Sequence, residues 1–283
     1  METTVRYGLD IIGDVHGNAA LLIELLTKLG YVLRDGAYVH PDGRMAAFTG
    51  DLVDGGQRNL DVVDIVRAMV IAGSGLAILG NHDFNIVAFN RRDPRRPAKF
   101  LRSHSERHIQ QCAQTQAEID ADPERGARAL AFLASLPLWL ELPAVRLVHA
   151  HWDLASMAAL APHLDEANAL THEGFVEAAA LSGSVGDARA LLLSGPEAEC
   201  APYLDRSGHH RTMDRVAWWL KGDDRDPRPL FFGHYAMPTP LSIHGNAVCV
   251  DAGVAKGGPI AAYRFDSRTD LSETNFVYCG TAT

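Results

Sequence analysis

Short apolar runs recur along the chain, each ending in glycine or histidine and a cluster of polar residues. Tyr7–Ile12 leads into Gly13-Asp14-Val15-His16-Gly17-Asn18, and Met45–Thr49 into Gly50-Asp51-Leu52-Val53-Asp54-Gly55-Gly56. Leu76–Leu79 leads into Gly80-Asn81-His82-Asp83, Val145–Val148 into His149-Ala150-His151-Trp152-Asp153, and Leu230–Phe232 into Gly233-His234-Tyr235. Brief, partly β-branched runs bounded in this way predict buried strands. Between the first three the apolar period lengthens to that of a helix. Ala19–Leu29 places Leu22, Leu25, Leu26 and Leu29 on one face and stops at Gly30. Asn59–Ile71 repeats the pattern through Leu60, Val63 and Val66. Alternating strands and helices over residues 7–80 predict an α/β core. Strand-like runs return at Ala247–Val250, Ile260–Phe265 and Asn275–Tyr278.

Two stretches depart from this rhythm. Residues 90–142 open on Arg91-Arg92-Asp93-Pro94-Arg95-Arg96 and then carry helical periodicity to Leu140; residues 154–225 are Ala-rich and read as mostly helical. With no internal repeat or low-complexity linker, the expectation is one domain, 1–283, with helical cap-like insertions at about 90–142 and 154–225.

Composition narrows the class. The chain has 283 residues, 47% hydrophobic and 22% charged, as in an ordinary globular protein. A net charge of −9 and a pI near 5.8 exclude gripping nucleic acid by bulk positive charge. No apolar run is long enough to span a bilayer, and Met-Glu-Thr-Thr-Val-Arg lacks the layout of a signal peptide. Cys112, Cys200, Cys249 and Cys279 are widely spaced and form no CxxC pair, which points to reduced thiols. Together these predict a cytoplasmic protein with no membrane partner.

The candidate chemistry sits just past the strand ends, in Asp14, His16, Asp51, Asn81, His149 and His234. Open α/β sheets gather binding groups at such places. Carboxylate, imidazole and amide donors suit Mn, Fe or Zn, and the lack of thiolates disfavours a structural zinc site. Six donors exceed what one catalytic metal usually takes from protein. Two metals sharing a carboxylate would use them all, stabilise an in-line displacement at phosphorus and acidify water into a nucleophile.

Asp-x-His-Gly, Gly-Asp-x-x-Asp-x-Gly, Gly-Asn-His-Asp, a strand-borne His and Gly-His, in that order, resemble the calcineurin-like metallophosphoesterases. The resemblance implies a four-layer α/β/β/α sandwich holding two divalent ions, Mn first, with Fe or Zn as alternatives. It implies that Asp14 and His16 bind one ion, that Asp51 bridges, and that Asn81, His149 and His234 bind the other. His82 then corresponds to the general acid and Asp54 to the carboxylate orienting it. Asp54 also has a plainer reading, as a cap for the helix at Asn59.

Details narrow the branch. Many nucleases and phosphodiesterases of the superfamily end in Gly-His-x-His, whereas Gly233-His234-Tyr235-Ala236 puts Ala at the last place. The single His and Asp54 resemble the phosphoprotein phosphatases and symmetrical diadenosine tetraphosphatases, with a phosphorylated small molecule, nucleotide or phosphoprotein as substrate. Those relatives usually carry a phosphate-clamping Arg straight after the second Asp; here Gly55 stands there. His151, Arg211 and Lys256 are candidate substrate contacts, with Arg215 and the Arg91–Arg96 cluster as further cations. Two alternatives stand beside the phosphohydrolase: a metal-dependent phosphodiesterase, disfavoured by Ala236, and a catalytically weak metal-binding scaffold, disfavoured by His82.

Overall fold

The computed structural model describes residues 8–180, 182–204, 210–221 and 226–280, with the side chains of 211 and 221 outside that set. Two five-stranded mixed sheets form its centre. In the first, Leu9–Ile12 lies between Met45–Phe48, to which it is parallel, and Ile260–Phe265, to which it is antiparallel. Gly75–Ala77 extends the parallel side and Phe276–Cys279 closes the antiparallel side. In the second sheet, Leu230–Phe232 is parallel to both Arg146–Val148 and Ala247–Cys249. Trp139–Glu141 and Ile243–His244 form its edges.

Alternation of side chains along each strand sorts residues into layers. Leu9, Ile11 and Ala47 of the first sheet face Leu147, Phe231 and Val248 of the second in one apolar core. Their neighbours Ile12, Phe48, Leu230 and Phe232 point outward into a second cluster, shared with Leu22, Leu26, Val63 and Val66 on one side and Leu160, Phe175 and Leu192 on the other. Helices Ala19–Leu29 and Asn59–Ile71 therefore cover one outer face, and Leu154–Leu160, His172–Ala178 and Ser184–Ser194 the other. The result is the expected α/β/β/α sandwich.

The insertions are less helical than their sequence implies. Arg92–Asp93 and Arg96–Phe100 pair as a short hairpin before the helices Glu106–Ala121 and Pro123–Ala134. Asp122 and Pro123 divide those two helices, the Asp122 carboxylate capping the second by accepting from Arg125 N–H at 3.0 Å. The helical reading to Leu140 also fails at Trp139–Glu141, an edge strand of the second sheet. Glu197–Leu204 and His210–Arg215 form an exposed hairpin where helix was expected. Exposed strands need no apolar alternation, so the period-2 signal is missing there.

Candidate active site

The polar clusters meet at the carboxyl ends of the central strands of both sheets. Each strand must turn away at once to present its side chain, and the backbone shows the cost. Among the described residues, five of the seven non-glycine residues with positive φ are His16, Asp51, Asp54, His234 and Ala236. Strained backbone of this kind gathers at functional sites. Close packing explains two of the glycines: a Cβ on Gly80 would strike Asp51, and one on Gly233 would strike the Asp14 carboxylate.

Asp51 stands at the centre. Its Oδ2 lies 3.6 Å from His16 Nε2 and its Oδ1 lies 3.4 Å from His149 Nε2. Oδ1 also accepts from the His82 backbone N–H at 2.8 Å. The ring of His16 is fixed from behind, with Nδ1 2.9 Å from the Asp54 carbonyl oxygen. His149 is held likewise, Nδ1 lying 2.7 Å from the Thr49 carbonyl oxygen. Nδ1–H donation to these carbonyls leaves the Nε2 lone pairs facing the cluster, as in a metal-ligating imidazole. Asp14 accepts from the His234 N–H at 3.0 Å and lies 3.8 Å from His16 Nε2. The Asn81 amide is 3.0 Å from His149 Nε2 and 2.8 Å from His234 Nδ1.

His16, Asp51 and His82 thus offer ligand atoms within 4.8 Å of one another, and so do Asp51, His149 and His234. Asp51 is common to both groups. The charge balance also asks for cations. Asp14, Asp51, Asp83 and Asp251 are all buried, and none of them pairs with Lys or Arg among the described residues. Burial, with Asp251 and Asp51 nearby, pushes the Asp14 carboxyl well up, whereas His149, His82 and His16 outweigh burial and hold Asp51 well below its usual range. Burial next to His149 and Arg215 pushes His234 down to about 2, so its imidazole is neutral. A neutral imidazole at His234 and buried carboxylates without a Lys or Arg partner among the described residues suit a divalent ion. The donor set fits two.

His82 lies in the first turn of the helix Asn81–Asn90 and stands over this cluster, with Nδ1 2.9 Å from Asp54 Oδ2. Burial opposes its charging, but Asp51 and then the Asp54 hydrogen bond win and push the imidazole up to about 9. Asp54 is itself held, its Oδ1 accepting from Thr115 Oγ–H at 2.5 Å. It does not cap the helix at Asn59. Glu118 does that, accepting from the Asn59 and Leu60 N–H groups at 2.8 Å each. Asp83 ties the loops together by accepting from Leu52 N–H at 2.9 Å and Gly80 N–H at 3.0 Å. Asp251 does the same on the far side, accepting from Ala236 N–H at 2.5 Å and Gly253 N–H at 2.8 Å.

A cavity of about 250 Å³ opens over the cluster, lined by His82, Asp54, Gly55, Gln111, Arg215 and Lys256 among others. Arg215 donates to the His234 carbonyl oxygen at 2.9 Å, so a guanidinium stands at the rim. Lys256 lines the same cavity. His151 does not; it packs edge-on against Trp218 at 4.9 Å. Arg211 pairs with Tyr203 in the hairpin, and its side chain lies outside the described residues. Gly55 has φ +105°, with room for a side chain but a backbone that L residues rarely adopt. Gly55→Arg should therefore lose about 1–3 kcal/mol of stability. A chemical-denaturation midpoint unchanged from wild type would mean that this loop relaxes freely.

Fold and ligand set together define a metallophosphoesterase architecture. Residues 9–120 match the family model described as calcineurin-like phosphoesterase, and all but two of the six candidate ligands, His149 and His234, fall inside that segment. The chain is similar to a bis(5'-nucleosyl)-tetraphosphatase PrpE [asymmetrical] of Halalkalibacterium halodurans, 51% identical over 73 residues, 26% of this chain and 30% of that one. The chain thus spans about a third of the length of the curated relatives it matches. Among solved structures, a putative diadenosine tetraphosphatase aligns at TM-score 0.50 and 18% identity over 98% of this chain and 95% of that one. A protein serine/threonine phosphatase from Saccharomyces cerevisiae aligns at 0.57 and 14% over 99% and 81%. At those identities the likeness is one of fold. Family and ligand geometry imply divalent metals in a dinuclear site. Among the described residues, no helix is long and apolar enough to cross a membrane.

Proposed function

We propose that the chain is a dinuclear metal-dependent phosphohydrolase cleaving phosphate monoesters or phosphoanhydrides. The observation that carries this reading is Asp51, shared by two ligand groups directly beneath the His82–Asp54 pair. Asp14 and His16 would hold one ion, Asn81, His149 and His234 the other, and Asp51 both. Mn suits these oxygen and imidazole donors, with Fe or Zn as alternatives. Two such ions would neutralise charge on the attacked phosphoryl group and lower the pKa of water in the site.

The chain's own residues do the rest. Asp54 holds the His82 ring through Nδ1, and Asp51 together with Asp54 keeps the imidazole protonated at neutral pH, which leaves Nε2–H to protonate a departing oxygen. Thr115 fixes Asp54 in turn, so the pair is oriented before substrate arrives. Arg215 and Lys256 at the rim supply the phosphate-facing charge that Gly55 lacks. The relatives' names favour a dinucleoside polyphosphate over a phosphoprotein.

A substrate panel with added Mn tests this: p-nitrophenyl phosphate, its bis ester, diadenosine tetraphosphate and a phosphopeptide. The expected result is turnover of the tetraphosphate and the monoester, with the bis ester poor. Cleavage of the tetraphosphate at its centre gives two ADP, and off-centre cleavage gives ATP and AMP. A preferred bis ester would make the protein a phosphodiesterase; no turnover of any substrate would make it a binding scaffold.

A further inference from the structure

A larger cavity, about 1090 Å³, lies beside the catalytic one. It is enclosed by the helix Asn81–Asn90, the hairpin after it, residues 179, 180 and 182, and Arg189 in the middle of helix Ser184–Ser194. Five basic side chains line it, Arg95, Arg96, Lys99, Arg102 and Arg189, against one carboxylate, Asp93. That concentration stands out on a chain with a net charge of −9. Asp93 is engaged by Arg95 and Arg96. Among the described residues, Lys99, Arg102 and Arg189 have no carboxylate partner.

The deeper pair is built into the wall. Arg189 donates to the Ala178 carbonyl oxygen at 3.0 Å and lies over the Phe84 ring at 4.7 Å. Arg102 donates Nη2 to Gln111 Oε1 at 2.7 Å, while its Nη1 is buried with no acceptor. Partly burying two guanidiniums in the wall of one cavity is costly without an anion. Burial, and after it Arg102, lowers Arg189 to about 10. Gln111 also lines the catalytic cavity, so Arg102 is one side chain away from it. Asn85, on the cavity wall, lies one helical turn of about 6 Å beyond Asn81.

We infer that this cleft is a second anion subsite, which takes the phosphate chain of a small-molecule polyphosphate whose scissile phosphorus lies over Asp51. The inference rests on the phosphohydrolase reading for the place of the scissile group. Several unpaired cations suit a chain of anionic groups, since each guanidinium can grip phosphate in a bidentate manner. A phosphopeptide would bring one phosphate and a backbone needing partners of its own.

The test uses the full chain as purified, wild type against Arg189→Met and Lys99→Gln. Calorimetric titration with tripolyphosphate should show affinity about tenfold or more weaker in Arg189→Met and less weakened in Lys99→Gln, because charged hydrogen bonds are lost. The KM for diadenosine tetraphosphate should rise by a similar factor relative to that for p-nitrophenyl phosphate. Tripolyphosphate tells an inorganic chain from a nucleotide: equal weakening for both probes assigns the subsite to the phosphates alone. Lys99→Gln, at an exposed position, keeps the test open if Arg189→Met does not fold. Unchanged tripolyphosphate affinity in both variants would overturn the inference. So would a phosphopeptide KM that responds while the tetraphosphate KM does not. If wild type cleaves neither substrate, the phosphohydrolase reading fails while the binding arm still decides the subsite.

Discussion

Replacing Asp51 with Asn is expected to weaken both metal sites at once and to abolish turnover. The carboxylate supplies one oxygen towards His16 and the other towards His149, at 3.6 and 3.4 Å. An amide keeps the shape but loses the charge and offers only one acceptor oxygen. Four further buried carboxylates, Asp14, Asp54, Asp83 and Asp251, surround the site, yet none lies between the two groups as Asp51 does. Loss of an outer partner to a ligand typically costs about 10–100-fold in metal affinity, and loss of a shared ligand should exceed that. His16→Ala should weaken chiefly one ion. The readout is metal content of each purified variant beside its rate. If Asp51→Asn kept one ion at wild-type affinity, Asp51 would serve a single metal.

The His82→Asn variant should separate substrates by leaving group. An alkyl alcohol must be protonated as its bond to phosphorus breaks, whereas p-nitrophenolate departs largely unassisted. Proton donation by a positioned side chain is worth about 10²–10⁴-fold. Turnover of an alkyl phosphate should fall by much of that range, and the nitrophenyl ester clearly less. Asp54→Asn should give a smaller version of the same pattern, since Asp54 acts through the imidazole it holds. Metal content should be retained in both. Equal losses for both leaving groups would make His82 a transition-state stabiliser, and loss of metal would make it a ligand of the group it shares with His16 and Asp51.

The central strands and the two helices between them were legible because burial imposes a period. Ala19–Leu29 and Asn59–Ile71 have the bounds their apolar stripes imply. Leu230–Phe232 likewise matches its run, and its alternation puts Phe231 between the sheets. The insertions were not legible for the converse reason. Every residue of Arg96–Pro97-Ala98-Lys99 is exposed, as is most of Glu197–Leu204, so their pairing leaves no mark on hydrophobic pattern.

The site shows the same division. Asp14, His16, Asp51, Asn81, His149 and His234 come after strands at fixed places, and the structure brings their side chains together. The supporting residues carried a weaker local signal. Thr115 and Glu118 lie on a mainly polar helix about sixty residues after the groups they hold, which only tertiary packing reveals. Asp251 did have a signal, since Val248–Val250 runs into Asp251-Ala252-Gly253 just as the other strands run into the polar residues of the cluster. Its role is to hold the turn after His234 through Ala236.

Whether two divalent ions share Asp51 is tested most directly by elemental analysis after loading with Mn and exhaustive dialysis, for wild type and Asp51→Asn side by side. About two ions per wild-type chain are expected, with loss of both in the variant. No more than trace metal in the wild type, with no activation by added Mn, would contradict a shared dinuclear site.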